Sequence, residues 1–419
     1  MKKIAIIICI TLLTTLVLEA NKIPGYVAPG TEKKAKTPDI YHAVWEKTYG
    51  GRYDDIAYGI VALENGESAM VGTCKSFDAQ YSNICVTRMN AKGEILWRLL
   101  LGGKKQDKGK AITRAADGSL MILGTTKSLA KKYDHDLYVA KVSLDGKLLW
   151  EKGIGGDRDE FAGGIAGTDD GGVLVVGDSE SFGNNYKDIY IVKLSANGEV
   201  QSSRTIGGEK EDSAQGLTRT KDGTMVMVGH REVASSGNKD FFVMKLDQNG
   251  KKIWAKTYGG TYADTLSAVT ASVDGGIVAT GRTRSFNSAQ TDLSVMKFDA
   301  NGKLIWHKIY GFKYYEYGNA ITSTVDGGFM IAGGTNTLGK GGHSVYMLAL
   351  DKSGKLIWSH VYGEREKDEA HAIARMSDGS LIVAGESDSF SRSKNFYMIK
   401  IDKNPKVAPQ TEAKATPAP

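Results

Sequence analysis

Seven acidic residues recur at one spacing: Asp55, Asp107, Glu160, Asp212, Asp264, Glu316 and Asp368 each stand ten residues before an Asn-Gly or Asp-Gly pair. Carboxylates gathered on one rim could bind a cation or a basic peptide. They could equally accept hydrogen bonds from their own loops, beside the paired glycines. The second reading is favoured. A feature present in every copy is what folding each copy requires, whereas a ligand site usually breaks the symmetry. A second set, Asn83, Asp136, Asp188, Asp240, Asp292, Ser344 and Asn395, reads in the same way as side chains that close loops.

Patterns for catalysis are poor. The histidines at 42, 135, 230, 307, 343, 360 and 371 form no His-x-x-x-His pair, and there is no Cys-x-x-Cys. No Gly-x-Ser-x-Gly elbow occurs. Gly-Gly pairs recur, but without the strand-to-helix context of a phosphate cradle. Quinone chemistry would want adjacent cysteines, and the chain has none. The expectation is a protein that is not an enzyme, with no catalytic residue, metal or cofactor.

Function is therefore sought where the copies differ. A basic stretch holds Lys127, Lys131, Lys132, Tyr133 and His135. An aromatic one holds Phe312, Lys313, Tyr314, Tyr315 and Tyr317. Clustered Tyr can stack on sugar rings or anchor a protein, and can equally pack locally. Arg158, Arg282 and Arg284 add positive charge suited to carboxylated ligands, or to a solvated rim.

The elements that carry these residues follow from an internal repeat. Trp45, Trp97, Trp150, Trp254, Trp306 and Trp358 are all the Trp of the chain. They are spaced by 52, 53, 104, 52 and 52 residues, with Ser202 at the skipped place. Five residues after each place comes a Gly, and an Asx-Gly pair follows in every unit. Each unit reads as four short strands. In residues 254–306 these are Ala263 to Ser272, Gly276 to Thr283, Asp292 to Phe298, and Lys303 to Tyr310. The pairs Asp274-Gly275 and Asn301-Gly302 supply the turns. No segment shows a sustained helical period.

Seven such units predict an all-β, seven-bladed β-propeller of four-stranded antiparallel blades over residues 40–404. The last unit stops after its third strand. Its missing partner is Tyr41 to Tyr49 at the start of the chain, which we expect to pair into the last blade and close the ring. Four residues after each recurring acid the residue is always Gly or Ala, and the next is aliphatic. That pattern suits innermost strands converging on an axis. The connectivity puts the loop before each innermost strand and the loop between strands two and three on one face. This long-loop face is the expected binding surface.

The units share Trp-x-Lys-x-Tyr-Gly-Gly, Asp-Gly-Gly and Asp-x-Tyr-x-x-Lys-Leu-Asp-x-x-Gly-Lys-x-x-Trp, shown most fully by residues 254–306. Over about 360 residues the chain thus resembles bacterial secreted β-propeller repeat proteins. The run Asp299-x-x-Gly302-Lys303-x-x-Trp306 also looks like the tryptophan-docking repeat of quinoprotein dehydrogenases and outer-membrane assembly scaffolds. Those usually have eight blades of shorter repeats.

The start of the chain reads as a secretory signal over residues 1–20: Lys2 and Lys3, an apolar run from Ile4 to Leu18, and cleavage near Ala20. Cys74 and Cys85 would remain after cleavage and are expected to form a disulfide in an oxidising compartment. Residues 21–39 and 405–419 hold all seven Pro and read as a flexible linker and a disordered tail. The 51 Gly among 419 residues suit a turn-rich sheet protein. A net charge of +6 spread over that length gives no case for nucleic-acid binding.

The expected function is an exported, periplasmic or secreted monomer that binds a protein or glycan of the cell envelope through its long-loop face. It would not insert in the membrane once cleaved. The alternatives are a propeller enzyme, either a metal-assisted lyase or hydrolase or a quinone-type sugar dehydrogenase, and an envelope assembly scaffold.

Overall fold

The computed structural model describes residues 40–404, apart from 78–80, 133, 185, 234–237, 287 and 289. The expected signal segment, linker and tail, and Tyr133, lie outside the described residues. Seven four-stranded antiparallel sheets form the ring. In blade one the strands are β2 (Asp55–Ala62), β3 (Ser68–Cys74), β4 (Asn83–Met89) and β5 (Ile95–Leu101), paired in that order from the axis outward. Blades two to six repeat the plan. Blade seven is β26 (Asp368–Arg375), β27 (Leu381–Ser387), β28 (Asn395–Lys403) and, outermost, β1 (Tyr41–Tyr49). The first strand of the chain therefore closes the ring, with Trp45 opposite Lys400.

Recurring residues hold neighbouring blades together. The Trp of each outer strand lies over the turn glycine of the next blade, Trp97 over Gly146 and Trp254 over Gly302. Trp97 Nε1 also donates to Leu144 O at 2.9 Å. Those glycines have φ of +85° and +80°, and a Cβ there would press on the indole. Only Gly fits both demands. Blade seven has no such turn, and Trp358 packs edge-on against Tyr41 instead. Within blades, a third-strand Lys pairs with the turn Asp: Lys141–Asp117 at 2.7 Å, Lys193–Asp170 at 2.8 Å and Lys245–Asp222 at 2.9 Å. Cys74 and Cys85, on adjacent strands, form a disulfide with α-carbons 5.8 Å apart.

Each innermost strand carries a register shift at one place, such as Ala57/Gly59 in blade one and Ala370/Ala372 in blade seven. This is a β-bulge, which adds one residue and re-aims a side chain. The extra residues are Tyr58, Lys110, Gly163, Gln215, Ser267, Asn319 and His371.

Candidate functional site

The recurring acids serve the loops. All seven are buried. Asp107 accepts from Gly103 N at 2.9 Å and Ser128 Oγ at 2.6 Å. Glu316 accepts from Phe312 N and Thr335 Oγ1, both at 2.8 Å. Asp368 accepts from Glu364 N at 2.9 Å and Ser389 Oγ at 2.6 Å. Asp55, Asp107, Glu160, Asp264 and Asp368 each stitch the loop before their strand to the loop after the neighbouring strand. Asp212 differs in also taking Arg231 Nε at 2.8 Å.

The second recurring set meets the acids at the joints between blades. A Cβ on Gly155 would sit 2.1 Å from Asp136 Oδ1 and 2.2 Å from Glu160 Oε2. The two carboxylates thus face the same space beside Gly155, which any side chain there would fill. Burial, then Glu160 and Asp134, raises the Asp136 carboxyl to about 6. Burial and Glu316 raise Asp292 to about 6 in the same way. The same places in other blades hold Asn83, Ser344 and Asn395, so a neutral group serves this position.

The loop residues singled out by sequence are distributed as follows. Tyr314 and Tyr315 are exposed, with the Lys313 ammonium 5.0 Å from the Tyr314 ring. Phe312 turns inward against Tyr346. Tyr317 is half-buried, and burial and Glu369 raise its phenol above the usual range. Lys131 and Lys132 are exposed on blade two, with Lys132 paired to Asp157 at 2.9 Å next to exposed Arg158. Arg282 and Arg284 are exposed on blade five, apart from that basic stretch. The basic residues therefore form two places on the face rather than one.

The same face holds more than sequence reasoning found. Among the described residues every exposed Phe or Tyr lies there: Tyr53, Tyr81, Phe182, Tyr186, Tyr262, Tyr314, Tyr315 and Phe390. They come from the leading loops and the second-to-third-strand loops of blades one, three, five, six and seven. The opposite face exposes aliphatic Val273 and Val325 at its turns.

The bulges build a second arrangement around the axis. The Tyr58 and His371 rings lie 5.0 Å apart, and Lys110 Nζ is 5.9 Å from the Tyr58 ring. Asn319 Nδ2 donates to Glu369 Oε1 at 3.0 Å and to Ala370 O at 2.9 Å. Lys367 bridges Glu369 at 2.9 Å and Glu386 at 2.7 Å, and Lys394 adds a bond to Glu386 at 3.1 Å. Burial pushes the His371 imidazole down, against Glu369 and Glu386, and pushes Lys110 down against Asp178. Donor atoms of Glu369, His371 and Glu386 lie within 4.8 Å of one another, a metal-like grouping. The Lys367 ammonium already spans the two carboxylates, and it would repel a dication placed between them. Sequence reasoning missed this cluster, although one signal was present. The residue just before the invariant Gly or Ala is different in every blade.

The fold and the symmetry of its joints define an all-β seven-bladed propeller. No family model and no curated protein matches the sequence. Among solved structures the chain is similar to the Neurospora crassa Pan2 WD40 domain. The identity is 11%, with 84% of this chain and 97% of that one covered and a TM-score of 0.50. It also matches Drosophila Plexin A, in complex with semaphorin 1b, at 10% identity, 86% and 87% coverage and a TM-score of 0.49. A glucose dehydrogenase matches at 10% identity, 86% and 98% coverage and a TM-score of 0.43. At these identities the likeness is one of fold alone.

Proposed function

We propose that the protein is an exported, non-catalytic binding propeller whose long-loop face takes a protein or glycan partner of the cell envelope. The observation that supports this is the confinement of exposed aromatic side chains to that face. Aromatic rings give large contact area at low entropy cost and stack on sugars as readily as on proteins. Within the face, Tyr314 and Tyr315 are the densest pair, flanked by Lys313. The basic residues Lys131, Lys132 and Arg158, and the pair Arg282 and Arg284, would set orientation at the rim. Export rests on the amino-terminal signal pattern and the Cys74–Cys85 pair.

The test is a crosslinking pull-down from the cell envelope with the native chain and with Tyr314→Ala/Tyr315→Ala. Capture should weaken while the melting temperature holds. A fall in melting temperature with unchanged capture would make the pair a packing feature and sink this reading.

A further inference from the structure

We propose that the crevice at the joint of blades five and six, on the face of tight turns, is a site for an uncharged sugar. It lies on the face opposite the exposed aromatic rings and is independent of the function proposed for them.

Three turns and the start of one outer strand enclose the crevice, whose volume is about 450 Å³. Asp274, Lys297, Asp299, Ile305, Trp306 and Lys352 line it. That volume lies in the range of small-molecule sites. The joint departs from its counterparts. Trp97, Trp150 and Trp254 each donate Nε1–H to a turn carbonyl of the next blade, at 2.9, 3.1 and 3.4 Å. Trp306 makes no such bond among the described residues. Its indole is also turned. A Cβ on Gly354 would meet Trp306 Cη2 and Cζ2, whereas on Gly146, Gly198 or Gly302 it would meet Cδ2 and Cε3 of the Trp there. Phe329 stands beside Trp306, edge-on with ring centres 6.4 Å apart. The other blades start that strand with Ser68, Leu120, Val173, Met225, Ile277 and Leu381, none of them aromatic. A ring at this place leaves the indole less room to lie as its counterparts do.

The polar groups of the lining carry both signs. Lys297 is buried and held by Asp274. Asp299 Oδ1 closes its own turn, accepting from Asn301 N at 2.9 Å and Lys303 N at 2.8 Å. Asp299 Oδ2, the exposed Lys352 ammonium and the Trp306 Nε1–H have no partner among the described residues. A carboxylate ligand would meet Asp274 and Asp299, and an ammonium ligand would meet Lys297 and Lys352. Hydroxyl groups both donate and accept, so they suit a lining of mixed sign. Ile305, 42% exposed, and the Trp306 ring supply an apolar side against which the C–H face of a pyranose packs. A neutral sugar matches both halves of the lining.

Saturation-transfer NMR of the full chain with glucose, N-acetylglucosamine and maltose tests the site, with glucuronate as the charged counterpart. At least one neutral sugar should take up saturation, mainly at ring C–H protons, and glucuronate about threefold less. Ile305→Lys sets a charge on the apolar side and should weaken binding about tenfold. Leu96→Lys makes the same kind of exchange at the corresponding exposed place in blade one and should change nothing. Where Ile305→Lys lowers the melting temperature, Lys352→Ala, on an exposed turn, should still weaken binding about threefold. Absence of transfer to all three neutral sugars would overturn the proposal, as would equal transfer to glucuronate. Transfer that survives Ile305→Lys and Lys352→Ala but is lost in Tyr314→Ala/Tyr315→Ala would put the sugar on the aromatic face and overturn the site here.

Discussion

Two positions on the innermost strands, three residues apart, obey opposite rules. At the first stand Asp55, Asp107, Glu160, Asp212, Asp264, Glu316 and Asp368, always acidic and always buried. At the second stand Tyr58, Lys110, Gly163, Gln215, Ser267, Asn319 and His371, no two alike and most half-exposed to the axis. The acid position spends its oxygens on its own loops. The bulge position spends little on its blade and brings different blades' side chains together. Recurrence in this molecule marks what each blade needs to fold, and variation marks positions that folding leaves free.

If recurrence measures folding, the most buried of the recurring Trp should matter most among them. Trp358→Ala removes the indole that packs on Tyr41 at the ring closure and should cost about 3–5 kcal/mol in urea unfolding. Trp254, which is only half-buried, should cost less when cut to Ala. Equal costs at the two would blur the rule. Reduction of Cys74–Cys85 should come next, with a loss of about 2–3 kcal/mol from freeing a short loop.

The joint position between these extremes sharpens the comparison, because blades occupy it with either an acid or a neutral group. Asp136 and Asp292 are raised to about 6 by burial, helped by Glu160 and Glu316 respectively. In the unfolded chain an Asp ionises near ~3.9. The folded state therefore holds these protons more tightly, and stability falls as pH rises between roughly 4 and 6. Asp292→Asn, copying Asn83 and Asn395, should stabilise at pH 7.5 by about 1–2 kcal/mol, with a smaller gain at pH 4.5. A thermal melt series across this range measures both. Loss of stability at pH 7.5 would show that the charge itself is needed at the joint. The smallest effect is expected on the outer surface, where Tyr314→Ala/Tyr315→Ala should change stability by less than ~0.5 kcal/mol.

Much of the architecture is legible in the sequence because each blade repeats the same steric demands. The Trp spacing, the Asx-Gly turns and the unpaired Tyr41–Tyr49 segment place every blade and the closure. In residues 254–306 the observed strands Asp264–Ala271, Ile277–Thr283, Asp292–Phe298 and Leu304–Tyr310 fall within a residue of the pattern at each end. The sites are less legible. Phe312, Tyr314 and Tyr317 are neighbours in sequence, yet Phe312 goes to the core, Tyr314 to solvent, and Tyr317 lies half-buried on the innermost strand. A bulge has no composition of its own, so the chain does not announce that Tyr58, Lys110 and His371 meet. The flanking Gly59, Ala111 and Ala372 reveal only that a tight place is near.

The most direct test sets the two positions against each other in one urea-unfolding experiment. Asp107→Ala strands the Gly103 amide and the Ser128 hydroxyl and should cost about 2–3 kcal/mol. The triple variant Lys110→Met/Gln215→Ala/Ser267→Ala changes three bulges at once and should cost less than ~1 kcal/mol in total. A triple variant that loses more stability than the single acid variant would contradict the division, on which the account stands, between positions that folding fixes and positions that it leaves free.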